Sequence, residues 1–195
     1  MTILLPKKEF WIDTEIESIQ DFIRKKQGAE DYEIERENCR TRIILEYLEK
    51  LIQQEEIPPD FRLVDLFCGD AIIITLLKNY FKESQIIGVD INEFNSHEAA
   101  INAGVEIKYK HVQRYIKNRR GALDVLLMLN TYRNLRSSGM SKYEFKKINK
   151  WILKTCKHPI VTVKNVKKTE KYGFKPKVIG QGEGTSYMVD LKGEL

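Results

Sequence analysis

The sequence predicts an α/β fold: a doubly wound, mainly parallel sheet of seven strands that ends in an antiparallel hairpin and lies between two layers of helices. Apolar runs of strand length alternate with helical patterns, beginning with the run at 61–67 and the pattern at 72–81. A glycine turn at Gly69 also precedes an acid at the end of the next apolar run, Asp90, by 21 residues. Nucleotide-binding sheets have roughly 20 residues between the glycine turn and the ribose-binding acid.

Composition bounds the class of protein. The chain has 195 residues, 42% of them hydrophobic and 31% charged, which suits one compact soluble domain. No apolar run approaches the roughly 18 residues of a transmembrane helix. Cys39, Cys68 and Cys156 follow neither a metal-binding nor a disulfide spacing. We therefore expect a cytoplasmic protein with no metal site and no membrane partner. The formal net charge of +5 permits nucleic acid as a partner without requiring it.

Residues 1–59 predict an N-terminal helical extension. Thr14 and Glu17 have the spacing of a capping box, and the helix that they begin is expected to end near Gly28. A second helix is predicted at 31–54, where apolar residues recur at helical spacing until the pair Pro58-Pro59. We expect this extension to form one compact unit with a domain that spans residues 60–195.

The remaining elements follow in order along the chain. Further strands are predicted at 86–89, 105–109, 123–129 and 159–163, with helices at 92–103 and 141–156. A glycine-rich loop at 180–184 joins two final strands, 177–180 and 185–191, which have the pattern of a hairpin. Because parallel strands end at the same edge of a sheet, the turn at Gly69 and the carboxylate of Asp90 are expected to face one crevice.

The run DLFCGDA at 65–71 and the acid Asp90 resemble the first two motifs of the class I S-adenosylmethionine-dependent methyltransferases, which have a Rossmann-like fold. The resemblance covers about residues 60–191, and it implies that the N-terminal extension at 1–59 lies on the substrate side of the domain. The family often has glycine at the positions of Phe67 and Ala71, so one glycine of three remains here. The resemblance implies a methyltransferase with S-adenosyl-L-methionine as its cofactor.

The resemblance also implies roles for particular residues. Asp65 and Gly69 would shape the methionine end of the site, and Asp90 would bond the ribose hydroxyls. Many family members bond the adenine amino group with an acid near residues 110–113; none is present here, and Gln113 or a backbone carbonyl would substitute. The expected cofactor-binding residues are Asp65, Phe67, Cys68, Gly69, Asp70, Ala71, Asp90, Ile91 and Gln113.

The tip of the strand at 123–129 is the expected acceptor side. Amino-directed branches of the family carry an Asn/Asp-Pro-Pro-aromatic tetrapeptide there, whereas this sequence has Asn130 and Tyr132 but no proline. The sequence therefore assigns no amine acceptor. Asn130, Tyr132 and Arg133 are the acceptor-side candidates for catalysis, and the alternative is a polar loop without a role in the reaction.

Several other polar residues have two interpretations each. Arg40 and Arg42 would reach the cofactor carboxylate or belong to a solvated helix face. His111 would act as a base or, more simply, lie at the surface. A basic cluster with a tyrosine inside it would contact phosphates or be solvated; its members are Arg114, Tyr115, Lys117, Arg119 and Arg120.

The sequence favours a methyltransferase that transfers a methyl group in line to a nucleic-acid or small-molecule acceptor. Such a displacement depends mainly on alignment of the reacting groups, and no residue stands out as a dedicated base. The alternative is a non-catalytic binding module with a methyltransferase-like fold, which the missing glycines and the missing adenine acid favour. A dinucleotide oxidoreductase fits less well, because no Gly-x-Gly-x-x-Gly follows the first strand.

Overall fold

The structure is a computed structural model that describes residues 31–94, 96–118, 121–129, 141–181 and 187–192. The strands are β1 (Arg62–Leu66), β2 (Gln85–Asp90), β3 (Glu106–Tyr109), β4 (Leu123–Met128), β5 (Cys156–Val163), β6 (Lys177–Gln181) and β7 (Tyr187–Asp190). The helices are α1 (Asp31–Gln53), α2 (Ile72–Tyr80), α3 (His97–Asn102), α4 (Val112–Asn118), α5 (Lys142–Thr155) and α6 (Lys167–Glu170).

The seven strands form one sheet in the order β3-β2-β1-β4-β5-β7-β6. The pairs among β1 to β5 are parallel, whereas β7 runs antiparallel to both of its neighbours, β5 and β6. This arrangement confirms the predicted fold class. The strand order reverses between β1 and β4, and in doubly wound sheets ligands bind beyond the carboxyl ends of the strands at such a point.

Helices cover both faces of the sheet, so the molecule has three layers. Successive strand side chains point to opposite faces, and Leu63 and Val64 of β1 accordingly belong to two different hydrophobic cores. The first core is built with α1, α2 and α3, and it includes Leu48 and Leu77, which are fully buried. The second core is built with α4 and α5 and includes Ile152.

Most element boundaries lie within a few residues of their predicted positions, with three differences. The helix expected over 92–103 is shorter and occupies only His97–Asn102. Strand β5 begins at Cys156, three residues before the predicted start, and the helices α4 and α6 were not predicted. The helix expected over 14–28 lies outside the described residues.

Within the described ranges, no helix is both long and apolar enough to cross a membrane.

Candidate functional site

The turn that follows β1 has an unusual backbone. Phe67, Gly69 and Ala71 have φ angles of 64°, 53° and 60°, so three alternate positions are left-handed although only one is glycine. Left-handed backbone costs an ordinary residue about 1–2 kcal/mol. The amides of Phe67 and Cys68 both donate to the carbonyl of Val89, at 2.7 and 3.2 Å, which ties the turn to β2. The two positions where the sequence lacks glycine therefore keep a glycine-type backbone.

Gly69 and Asp90 meet as the sequence predicts. The amide of Gly69 donates to Asp90 Oδ2 at 3.1 Å, and the amide of Asn92 donates to Oδ1 of the same carboxylate at 3.0 Å. Asp90 is 8% exposed, at the end of β2. A carboxylate offers about four acceptor positions. Asp90 therefore retains acceptor capacity beyond these two backbone amides.

Open space faces the turn at Gly69. A Cβ built on Gly69 would have no heavy atom within 4 Å, apart from its own chain neighbours. Gly88, in the middle of β2, is the opposite case: a Cβ there would lie 2.8 Å from Ile107 Cδ1 and 2.9 Å from both Cys68 Sγ and Ile74 Cδ1. Packed side chains thus fill the floor beneath the turn and leave the space above it open.

The start of α3 holds the turn from the other side. Ser96 Oγ donates to the carbonyl of Asp70 at 2.7 Å, and His97 Nε2 lies 2.6 Å from the carbonyl of Gly69. Because a carbonyl only accepts, Nε2 carries the proton. His97 Nδ1 then accepts from the amide of Phe94 at 3.5 Å and lies 3.1 Å from the Tyr109 hydroxyl. His97, which is 1% exposed, fixes the orientation of the Gly69 peptide.

Sequence reasoning missed Ser96 and His97. Both lie in the segment 92–103 that was expected to be an uninterrupted helix. Their partners, the carbonyls of Asp70 and Gly69, are 26 and 28 residues away along the chain. The one local signal is a serine directly before the first helical residue, a position typical of helix N-caps.

The remaining expected cofactor residues take different positions around the turn. Asp65 is 6% exposed inside β1, and Ala71 is buried directly before α2. Asp70 Oδ1 accepts from the amide of Ile72 at 3.3 Å. Ile91, directly after Asp90, is 56% exposed. Gln113 is exposed on α4, and its side-chain amide donates to Glu144 Oε1 at 3.0 Å.

Cys68 is not poised to act as a nucleophile. Burial raises the pKa of its thiol, and the negative charges of Asp65 and Asp90 raise it further. A thiol must ionise to react, so at neutral pH Cys68 is a packing residue under the turn.

The exposure of the side chains bears on three of the alternatives raised by the sequence. Arg42 and His111 are exposed, as expected for surface residues. Arg40 is only 5% exposed, so the solvated helix face is wrong for this residue. Tyr115 is 7% exposed and belongs to the second core, which removes it as an aromatic contact for nucleic acid, whereas Arg114 is exposed.

The acceptor-side candidates Asn130, Tyr132 and Arg133 lie outside the described residues, as do Arg119 and Arg120 of the basic cluster. In the part of the chain that the structure describes, no three His, Cys, Asp or Glu side chains gather in a way that would hold a metal ion.

A cavity of about 310 Å³ borders the His97 side of the turn. Its walls come from α3, from the residues before it and from the end of β3, and they include Glu93, Phe94, His97 and Tyr109. His97 therefore contacts the glycine turn with one ring nitrogen and forms part of this cavity with the rest of its ring.

Comparison with solved structures identifies the fold. A structure of WbdD, a bifunctional kinase-methyltransferase, superposes with a TM-score of 0.63 at 15% identity, over 80% of this chain and 39% of the WbdD chain. Monomeric WbdD gives a TM-score of 0.64 at 15% identity, over 87% of this chain and 44% of that one. The chain has the class I methyltransferase fold.

The likeness is one of structure. The chain spans less than half of the length of each of the two WbdD chains. No protein-family model matches the sequence, and no curated protein matches it. In this chain, the turn at Gly69 and the acid Asp90 together form the crevice at the carboxyl ends of β1 and β2.

Proposed function

We propose that this protein is an S-adenosylmethionine-dependent methyltransferase with its cofactor site at the turn after β1. The 3.1 Å contact between the Gly69 amide and Asp90 Oδ2 carries the proposal, because it joins two strand ends at one crevice. The open space at Gly69 supports it further, since a ligand needs close access to the backbone there.

The strained turn supports the same conclusion. Phe67 and Ala71 hold left-handed backbone that costs stability, and such strain persists where the surrounding structure enforces it, commonly at ligand sites. Here the enforcing contacts are the two amides bonded to Val89 and the two side chains, Ser96 and His97, bonded to the turn carbonyls.

The residues around the crevice fit the groups of the cofactor. The spare acceptor capacity of Asp90 suits ribose hydroxyls, and the exposed Ile91 beside it offers an apolar surface to adenine. Arg40 is a buried cation on α1, in the N-terminal extension that we propose covers the site, and we propose it as the partner of the cofactor carboxylate. S-adenosylmethionine supplies a methyl group that is already activated by the sulfonium.

The protein's own contribution to the reaction is alignment. Holding the acceptor atom in line with the methyl carbon converts a two-body encounter into a nearly unimolecular step. Asn130, Tyr132 and Arg133, which come after β4 in the sequence, are the residues that we propose on the acceptor side. The acceptor is a nucleic acid or a small molecule.

A second candidate is a non-catalytic binding module with this fold. The observation that favours it is that both oxygens of Asp90 already accept a backbone amide. If these two bonds use all of the acceptor capacity of the carboxylate, Asp90 has only a structural role and the crevice does not select a nucleoside.

Calorimetric titration with S-adenosylmethionine tests the cofactor site. We expect the wild-type protein to bind and Asp90→Ala to lose about 1.5–3 kcal/mol of binding free energy, which is the value of a hydrogen bond to a charged group. Asp60→Ala is the matched control, because Asp60 is an exposed aspartate before β1 and should leave the affinity unchanged. Equal affinities of wild type and Asp90→Ala would refute the role of Asp90.

The same titration separates the two candidate functions. Binding of cofactor followed by formation of S-adenosylhomocysteine in the presence of an acceptor supports the enzyme. Absence of any heat and of any thermal shift with the cofactor supports the non-catalytic module.

A further inference from the structure

The two helical layers carry opposite net charges. Residues 141–181, which supply α5, β5, α6 and β6, contain twelve lysines, no arginine and two glutamates, a net charge of +10. Residues 39–104, which supply α2, α3 and most of α1, contain six basic and eleven acidic residues, a net charge of −5. The formal net charge of +5 for the whole chain therefore conceals a strongly dipolar molecule.

Helix α5 supplies the first half of the positive surface. Phe145, Ile148 and Ile152 bury one side of the helix in the second core. The exposed side carries Lys146, Lys147, Lys150 and Lys154. Like charges spaced by four residues, as in the series 146, 150 and 154, destabilise a helix. A negatively charged partner would relieve this repulsion.

The segment 164–175, which contains α6, supplies the second half. It adds five exposed lysines between Lys164 and Lys175. The segment lies alongside α5, because the rings of Phe145 and Tyr172 are 5.1 Å apart and Leu153 Cδ1 would be 3.8 Å from a Cβ on Gly173. The exposed lysines of α5 and of segment 164–175 thus form one continuous surface, here called the lysine face.

Few acids neutralise the lysine face. In the two described segments that form it, the acidic residues are Glu144 and Glu170. Glu144 accepts hydrogen bonds from the Ser141 backbone and hydroxyl and from Gln113, and these bonds lower the pKa of its carboxyl below the usual value.

The lysine face extends to the edge of the sheet that holds the candidate site. Segment 164–175 follows the carboxyl end of β5 directly. Helix α5 begins beside the first turn of α4, as the contact between Gln113 and Glu144 shows, and α4 follows the carboxyl end of β3. A long polyanion on this face therefore reaches the edge where Gly69 and Asp90 lie.

We propose that the lysine face docks the phosphate backbone of a nucleic acid, and that this nucleic acid carries the methyl acceptor. The second clause rests on the proposed function, whereas the docking itself does not. Charge complementarity carries the proposal, since duplex DNA presents one negative charge per roughly 1.7 Å of its axis. All the cations of the face are lysines, which contact phosphates as point charges. Binding is therefore independent of base sequence.

An anionic membrane is the competing partner for a basic surface. Helices that bind at a membrane interface insert apolar side chains between their basic residues. Among the large apolar or aromatic residues described as exposed, only Tyr143 lies on the lysine face, at the start of α5. The face therefore has charge for a polyanion but lacks an apolar surface for lipid.

Fluorescence anisotropy with a labelled RNA duplex and a labelled DNA duplex, without cofactor, tests the docking. The variant Lys150→Glu/Lys154→Glu should weaken binding at least about tenfold and reduce the slope of log K against log salt by about 2 between roughly 50 and 200 mM salt. The control Lys50→Glu/Lys82→Glu makes the same charge change at exposed positions on the negative layer and should change affinity less than about twofold.

Three outcomes would overturn the docking. They are no binding of either duplex by the wild type, equal losses in the two double variants, or tighter binding to phosphatidylserine vesicles than to the duplexes. Titration of the same variants with S-adenosylmethionine keeps the two proposals apart. If the protein binds duplex through the lysine face but does not bind the cofactor, the docking proposal stands and the methyltransferase proposal is wrong.

Discussion

Two aspartates end two strands of this sheet with the same local hydrogen bond and very different surroundings. Asp90 ends β2 and accepts the amide of Asn92 at 3.0 Å; Asp190 ends β7 and accepts the amide of Lys192 at 2.8 Å. Because β7 is antiparallel to β5, it ends while running toward the amino ends of the parallel strands, and Asp190 pairs with Ile160 in the middle of β5. We call the side of the sheet toward which β7 runs the amino edge. The local sequence pattern is therefore the same, and the direction of the strand decides where the carboxylate lies.

The second oxygen of each carboxylate shows the difference. Asp90 Oδ2 accepts a backbone amide from the turn at Gly69, where open space begins. Asp190 Oδ2 accepts the Tyr47 hydroxyl and the His158 Nδ1–H, each at 2.8 Å, and Asp190 is fully buried. The first carboxylate can still take a ligand, whereas side chains of the protein surround the second.

Buried hydrogen bonds at the amino edge thus connect three elements of the fold. Asp190 connects α1 through Tyr47, β5 through His158 and the end of β7 through its own backbone. His158 Nε2 also lies 3.6 Å from Glu56 Oε2 in the chain that follows α1. One buried carboxylate therefore links the helix before the sheet to strands β5 and β7.

Asp190→Ala should have the largest effect on the stability of the protein. It leaves two buried donors, on Tyr47 and His158, without an acceptor, and breaking a buried pair of this kind costs roughly 3–5 kcal/mol. Urea unfolding followed by circular dichroism measures the loss. Asp90→Ala is the comparison, and it should cost less because water in the crevice can solvate the freed amides. A larger loss in Asp90→Ala than in Asp190→Ala would contradict the distinction between the two aspartates.

The sequence predicted the carboxyl edge better than the amino edge, for a physical reason. The turn at Gly69 and the acid Asp90 are recognisable because a glycine and a strand-ending acid have local patterns and a characteristic separation. Tyr47 lies in the predicted helix at 31–54, whose apolar spacing indicates no more than a buried helix face, and its 7% exposure agrees with that. Its hydroxyl bonds a residue 143 positions away, and helical periodicity carries no information on such a partner.

The same limit applies inside the candidate site. The sequence left two interpretations of Arg40, a partner of the cofactor carboxylate or a member of a solvated helix face, and its burial contradicts the second. His97 gave no signal, because its role depends on the fold bringing α3 against the turn. The fold class and the order of elements along the chain follow from local sequence patterns. The polar contacts that join distant elements do not.

The second prediction concerns the support that His97 gives to the turn. His97→Ala removes the donor to the Gly69 carbonyl, and we expect S-adenosylmethionine to bind about 1 kcal/mol more weakly, roughly a fivefold rise in Kd. His97→Gln, which presents an N–H donor in place of Nε2, should recover most of the affinity. Calorimetry on the two variants measures both values.

Tyr109→Phe is the control for this prediction, because it removes only the hydroxyl on the far side of the His97 ring. A loss of affinity in Tyr109→Phe equal to that in His97→Ala would mean that the cavity wall matters and that the bond to Gly69 does not.

The last prediction is a dependence of stability on alkaline pH at the amino edge, and it is confined to pH values above about 10. Burial raises the pKa of Tyr47 above its ordinary value of 10.0, and the charge of the adjacent Asp190 raises it further. The unfolded chain loses this proton as the pH passes about 10, whereas the folded chain keeps it. The protonated Tyr47 hydroxyl therefore makes its full contribution to the free energy of unfolding below pH 10. Above pH 10 this contribution declines by up to about 1.4 kcal/mol per pH unit.

Tyr47→Phe separates this contribution from the other groups that titrate at high pH. The variant should be less stable than the wild type at neutral pH, because it loses the bond to Asp190, and its stability should then fall less steeply between about pH 10 and 11. Tyr143→Phe changes a tyrosine that is 67% exposed, and its pH dependence should match the wild type. Urea unfolding at each pH gives the slopes. Equal slopes for Tyr47→Phe and Tyr143→Phe would show that the Tyr47 hydroxyl is hydrated, and the amino edge would then be no more sealed than the crevice at Asp90.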